Sequence, residues 1–327
     1  MTAGDPLSEI RAQDHAIGIL RAALERNKLA SAYLFEGPSG VGKLQAARAL
    51  ARVLVSEGSS EIDRRIAAGS HPDVRVFPPR DEGDRNLQVA VVRSEILPIA
   101  QYAPFEAKRA FLIFPEADVS FPEAHPEAAN AMLKTIEEPR QNVHFILVAE
   151  RPDRLLATIR SRCQRVRFSR LPDAVIDSIL VAQGVPEHER LAAIALSGGR
   201  ADLALELTKD GLADALLALA LRVDAAAASG RPGAIVSAAE ELSRFEPLER
   251  ALDALAMYYR DVAAAALGRP DDALAFRHRA PEIRARAEQL GAARAGRASS
   301  MLRELDEQLE QNANKEIAIG AMLAAIG

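Results

Sequence analysis

In the first half of the chain, short apolar runs alternate with stretches in which apolar residues recur every three or four positions. Such alternation marks a parallel sheet covered by helices. The spacing predicts a helix over residues 14–27 (DHAIGILRAALERN), then a strand over 31–36 (SAYLFE) running into a glycine-rich loop, then a helix over 43–56. Residues 74–77 read as a short strand and 88–102 as a helix with a β-branched start. Residues 109–114 (RAFLIF) read as a central apolar strand. The next helix spans 122–137, with prolines near its start, where they are tolerated, and Pro139 ends it. Residues 143–149 (VHFILVA) form a buried strand and 164–168 (QRVRF) a shorter, alternating one.

Beyond Leu171 no run reads as a strand, and Ala and Leu dominate at helical spacing. The pattern divides the chain into an α/β domain over 1–169, a small helical unit over 170–208 and an all-α bundle over 209–327. Breaks in the bundle fall at 230–233 and 268–271.

Composition narrows the function classes. The 327 residues carry a net charge of −5 and only 4% aromatics, with no Trp. This argues against an aromatic platform for single-stranded nucleic acid and against a surface that wraps DNA by charge alone. One cysteine, Cys163, excludes an intrachain disulfide framework and a cysteine-rich zinc site. A reducing cytoplasm is the expected compartment. The first residues lack the apolar segment of a secretory signal, and no run has the length of a membrane span.

The segment Gly37-Pro38-Ser39-Gly40-Val41-Gly42-Lys43-Leu44 is a phosphate-binding loop with its last position altered. In a working loop, backbone N–H groups cradle phosphates, the Lys meets the outer phosphates, and a Ser or Thr hydroxyl holds Mg²⁺. Here Gly37, Gly40, Gly42 and Lys43 are in place, but Leu44 has no oxygen. A second metal-side group, an Asp, belongs at the end of the 109–114 strand. The sequence there is Phe114-Pro115-Glu116-Ala117-Asp118, so Pro115 takes the Asp position and Glu116 that of a water-activating Glu. Without a metal, Glu116 reads as a polar strand-end residue or a hydrogen-bonding partner. No productive Mg·ATP and no resident metal are expected.

The segment TIRSRCQRVRF carries Arg160, Arg162, Arg165 and Arg167. Alternation puts Arg165 and Arg167 on one face, away from Val166 and Phe168. From spacing alone this is a solvated basic edge; the functional alternative is a guanidinium offered to a neighbour's γ-phosphate. Cys163 reads as a small buried residue. His71 and His125 stand alone and read as structural or exposed, and residues 55–66 hold neither Cys nor His for zinc.

Taken together, ASAYLFEGPSGVGK, IAAGSHPDVRVF, PEAANAMLKTIEEP and VHFILVAERPDRLLATIRSRCQRVRF resemble the delta-prime subunits of bacterial DNA polymerase III clamp loaders. The C-terminal stretches ALAMYYRDVAAAALG and NANKEIAIGAMLAAI are similar to that family's collar helices, so the resemblance extends over nearly the whole chain. It implies an AAA+ module, with a P-loop αβα domain and a three-helix lid, followed by a helical collar. It further implies a hetero-pentameric ring with gamma/tau ATPase and delta subunits, acting on a sliding clamp and primer-template DNA. Arg162 matches the arginine of the family's Ser-Arg-Cys motif, which is the finger presented to an adjacent ATPase subunit. Three departures stand out: the family's four-cysteine zinc module is missing, Val148-Ala149 replaces the usual polar sensor, and Leu203 stands where a lid arginine is expected. All three favour a subunit silent for ATP. The alternative is an active gamma/tau-like ATPase with an unusual metal site.

Overall fold

The computed structural model describes residues 5–79, 85–309 and 314–326. The chain divides into two compact units, Met1–Val175 and Ile176–Gly327, with the boundary inside the helix Asp173–Ala182.

The first unit is built on five parallel strands: β1 (Ala32–Glu36), β2 (Val74–Val76), β3 (Ala110–Phe114), β4 (Val143–Ala149) and β5 (Gln164–Arg167). Their order is β2-β3-β4-β1-β5. β3 is an interior strand, but the middle place belongs to β4. β1, β3 and β4 are buried along their whole length, as parallel strands covered on both faces must be. One face carries Leu34, Leu112, Phe114, Phe145 and Leu147 into a core shared with Val92, Ile96, Ala129, Met132 and Ile136. On the other layer the helix Lys43–Val55 packs against β3 and β4. The predicted strands thus appear where the apolar runs place them, trimmed by a residue or so at their ends.

Two predicted helices differ. The helix expected over 122–137 begins only at Glu127. Proline disfavours helical geometry at the residue before it, which works against a helix running through His125 ahead of Pro126, and Pro122 instead bridges to Leu155. The stretch 88–102 is helical from Val89 to Gln101 but passes through a π-helical turn, Val92–Ile96. Pro98 lacks the N–H that would bond Ser94, and a π-turn just upstream absorbs that missing bond.

In the second unit every described element is helical. The helices Glu187–Ser197 and Ala201–Leu207 come first. Longer helices follow: Leu212–Ala228, Pro232–Ser243, Leu248–Ala266, Ala280–Leu290, Ala292–Leu309 and Lys315–Ile326. Breaks fall near Gly230 and Gly268, both with positive φ. The unit encloses a buried ionic group: Asp224, 5% exposed, accepts from Tyr258 Oη at 2.9 Å, Tyr259 Oη at 2.8 Å and Arg286 Nε at 3.0 Å.

Candidate functional site

The phosphate loop joins the C-terminal end of β1 to the helix Lys43–Val55, and its glycines are demanded by geometry. Gly37 has φ 144°, and a Cβ there would lie 2.3 Å from the Phe168 carbonyl oxygen. Gly42, at φ 98°, is the left-handed residue that opens the helix. The Gly37 N–H donates to the Ala149 carbonyl at 3.3 Å, which ties the loop to the end of β4.

The lysine of the loop is turned inward. Lys43 is only 7% exposed. Its ammonium donates to the Gly37 carbonyl at 2.7 Å and also to the Pro38 carbonyl. Leu44 follows it, half-buried, with no group to bind a cation.

The acidic positions after β3 are committed elsewhere. Pro115 sits at the strand end, half-buried. Glu116 is exposed and pairs with Arg85 Nη2 at 3.1 Å. Asp118 is 8% exposed and accepts from the backbone N–H groups of Arg151 at 2.7 Å and Glu150 at 3.2 Å. It fastens the turn that leaves β4. Mg²⁺ wants hard oxygen ligands in octahedral array. The two positions from which a P-loop protein supplies them hold a Leu and a Pro, so the residues here do not fit that cation. Among the described residues no group of three or more His, Cys, Asp or Glu could hold a metal ion.

Arg162 lies just before β5. Its Nε donates to Glu137 Oε2 at 3.1 Å and its Nη1 to the Thr158 carbonyl at 3.0 Å. Next to it, burial pushes the Cys163 thiol up to about 12. A thiol so hard to ionise is no nucleophile. Arg165 and Arg167 do share a face. Both grip Glu36, the last residue of β1: Arg165 Nη2 donates to its Oε2 at 2.7 Å and Arg167 Nε to its Oε1 at 2.8 Å. The structure therefore separates the arginines of this segment, two of them serving the base of the phosphate loop and Arg162 standing apart with Glu137.

Three residues that organise the unit escape a reading of sequence pattern. Gln13, 3% exposed, donates through Nε2 to the carbonyls of Val41 and Ser169 at 3.3 and 2.7 Å, and accepts from the Ser169 N–H at 2.9 Å. It laces the phosphate loop to the segment after β5, across 28 and 156 residues of chain; nothing local announces it. Glu36 gives one signal, a lone charge closing an apolar strand. Asp73 gives less, though its carboxylate accepts three consecutive backbone N–H groups, from Phe105, Glu106 and Ala107. Of the histidines, His71 is buried beside Asp73, whose N–H donates to its Nδ1 at 3.1 Å, and His125 is exposed.

A parallel sheet of this order, with a phosphate loop leaving β1 and the acidic segment leaving β3, defines a P-loop αβα module. Residues 12–172 match the family model described as "DNA polymerase III, delta subunit". Over that segment the chain is similar to this family and to subunits named delta'. It is 33% identical to DNA polymerase III subunit delta' of Bacillus subtilis over 183 residues, 54% of this chain and 53% of that protein. Against the Pseudomonas aeruginosa subunit delta' it is 32% identical, over 53% of this chain and 54% of the other. It is also 30% identical to the gamma/tau subunit of Mycobacterium tuberculosis (strain ATCC 25618 / H37Rv), over 53% of this chain and 30% of that one. The chain thus spans about half the length of the delta' relatives it matches. The family match ends at residue 172, close to the end of the first unit.

Proposed function

We propose that the chain is a clamp-loader subunit of delta-prime type in a bacterial DNA polymerase III, silent for ATP and lending Arg162 to a neighbour's nucleotide site. The observation that carries the silence is the pairing of Leu44 with Pro115, two independent losses on one metal. Lys43 folded onto its own loop, and Asp118 spent on backbone amides, support the same reading.

In this reading residues 1–169 form the AAA+ core, 170–208 the lid and 209–327 the collar that joins a hetero-pentameric ring with gamma/tau ATPase and delta subunits in the cytoplasm. The ring opens a sliding clamp and sets it on primer-template DNA. Arg162 suits a role in trans because its present partner is weak. A partly exposed ion pair such as Arg162–Glu137 is worth about 0–1 kcal/mol, so a neighbour's γ-phosphate can take the guanidinium from it. There it would stabilise the charge of the phosphoryl-transfer transition state.

The test is the ATPase of the reconstituted ring. Arg162→Ala is expected to leave assembly intact and to lower turnover stimulated by clamp and DNA, with Arg162→Lys failing to restore it, since a point charge lacks the planar fork. Unchanged turnover in the assembled Arg162→Ala ring would remove the finger role. The identity shared with gamma/tau subunits motivates a second reading, a motor with an unusual metal site. Steady ATP hydrolysis by the purified chain, abolished by Lys43→Ala, would establish it.

A further inference from the structure

The backbone that carries Arg162 is fixed on both sides. Ile159 is fully buried, and Cys163 packs against the same core. The Arg162 N–H donates to the Ile159 carbonyl at 3.0 Å, and β5 starts two residues on, with Gln164 in register with Tyr33. Where the guanidinium lies is therefore set by its own side-chain torsions and by the groups that hold it.

Two groups hold it, and they are unlike. The Thr158 carbonyl, which accepts from Nη1 at 3.0 Å, is neutral and belongs to the backbone. Glu137 Oε2, which accepts from Nε at 3.1 Å, carries charge. A guanidinium has five N–H donors, and none of the described residues bonds Nη2. A second anion can thus reach the open side of Arg162, and Glu137 then competes with it for one cation.

Glu137 does nothing for its own helix. It is the last residue of Glu127–Glu137, where unpaired carbonyls form the negative pole. A carboxylate has the wrong sign there, and Lys134 in the same turn has the right one. The side chain is 55% exposed, so it fills no core. Among the described residues, Arg162 is the one cation within salt-bridge reach of it. What the carboxylate contributes at this position is its hold on Arg162.

We propose that Glu137 is the resting partner of Arg162, a positioning residue that holds the guanidinium back until a neighbour's γ-phosphate displaces the carboxylate. The inference rests on the finger role proposed above. A resting state that must be given up weakens the apparent affinity of the ligand that replaces it. ADP brings no γ-phosphate, so the competition bears on ATP and not on ADP. Glu137 thereby makes engagement of the finger depend on which nucleotide the neighbour holds.

The test uses the reconstituted ring with Glu137→Ala or Glu137→Gln in this chain, the second keeping an acceptor for Nε without the charge. The quantity followed is the Arg162-dependent part of the turnover stimulated by clamp and DNA, obtained by subtracting the turnover of the matching ring that also carries Arg162→Ala. In Glu137→Ala the ATP concentration for half-maximal turnover is expected to fall about two- to fivefold, the span of a partly exposed ion pair, and in Glu137→Gln by less. The maximal rate and the inhibition constant for ADP are expected to stay where they are, which a general disturbance of the subunit would not allow. An unchanged or raised half-saturating ATP, a lower maximal rate, or an equal shift for ADP would overturn the proposal. Arg162→Ala alone reads the finger role. A loss of turnover there with no shift in the Glu137 variants removes only the resting partner, and no loss there removes both.

Discussion

The Lys43 ammonium lies 2.7 Å from the carbonyl oxygen of Gly37, six residues behind it in the same loop. The cation that a working phosphate loop aims at its ligand here closes the loop on itself. Replacing it by a neutral side chain of similar length is therefore a test of stability. Lys43→Met is expected to lower the folding free energy by about 1.5–3 kcal/mol, the range for hydrogen bonds made by a charged group. The measurement is the urea midpoint of the full chain.

Restoring the metal side takes two changes. Leu44→Thr alone or Pro115→Asp alone supplies one oxygen ligand, and neither is expected to give Mg-dependent ATP binding by calorimetry. The double variant supplies both and is expected to give detectable binding. Binding by the unaltered chain as tight as by the double variant would mean that Leu44 and Pro115 do not silence the site.

Asp224 and Arg286 make the corresponding stake in the second unit. The carboxylate is buried and has Tyr258, Tyr259 and Arg286 as donors. Arg286→Ala strands that carboxylate and is expected to cost about 3–5 kcal/mol. Replacing the pair together, with Asp224→Leu and Arg286→Met, is expected to cost markedly less, since no uncompensated charge stays inside. Chemical denaturation of the two variants side by side reads the difference.

His144 sets a pH dependence. Its ring stacks on Phe111, and Nδ1 lies 2.9 Å from the Ala30 carbonyl. A carbonyl only accepts, so Nδ1 carries the proton and Nε2 is left without a partner. Burial lowers the pKa of His144, and burial likewise lowers that of His71. The unfolded chain therefore takes up more protons than the folded one once the pH drops below about 6.5. The stability these neutral rings carry is present above that value and is lost as the pH falls through their folded pKa values. The urea midpoint is expected to drop between about pH 7.5 and about pH 5.5. His144→Asn, which keeps a donor for Ala30, is expected to flatten the slope; an unchanged slope in that variant and in His71→Gln would refute the assignment.

Much of the first unit was legible because its signals are local. β1, β3 and β4 are continuous apolar runs, and a run of that kind bounded by turn residues needs two covered faces wherever it lies in the chain. The phosphate loop was legible for the same reason, since glycine at 37 and 42 answers a backbone demand that no other residue meets as well. The start of the helix at Glu127 was misread, and the helix over 88–102 was read without the π-turn at Val92–Ile96. In both places proline competes with helical periodicity, and periodicity is the stronger visual signal but the weaker constraint.

By itself, then, the sequence determined the elements, the altered phosphate loop and the loss of oxygen at Leu44 and Pro115, because these depend on residue type and near neighbours. Only the tertiary structure decided where the charges went. Lys43 turned to its own loop, Asp118 to the amides after β4, Glu36 to two arginines of β5, and Asp73 to the turn that holds out Phe105. A buried charge must find its partner among whatever groups the fold brings near, most of them far away in the chain, and no periodicity encodes that choice.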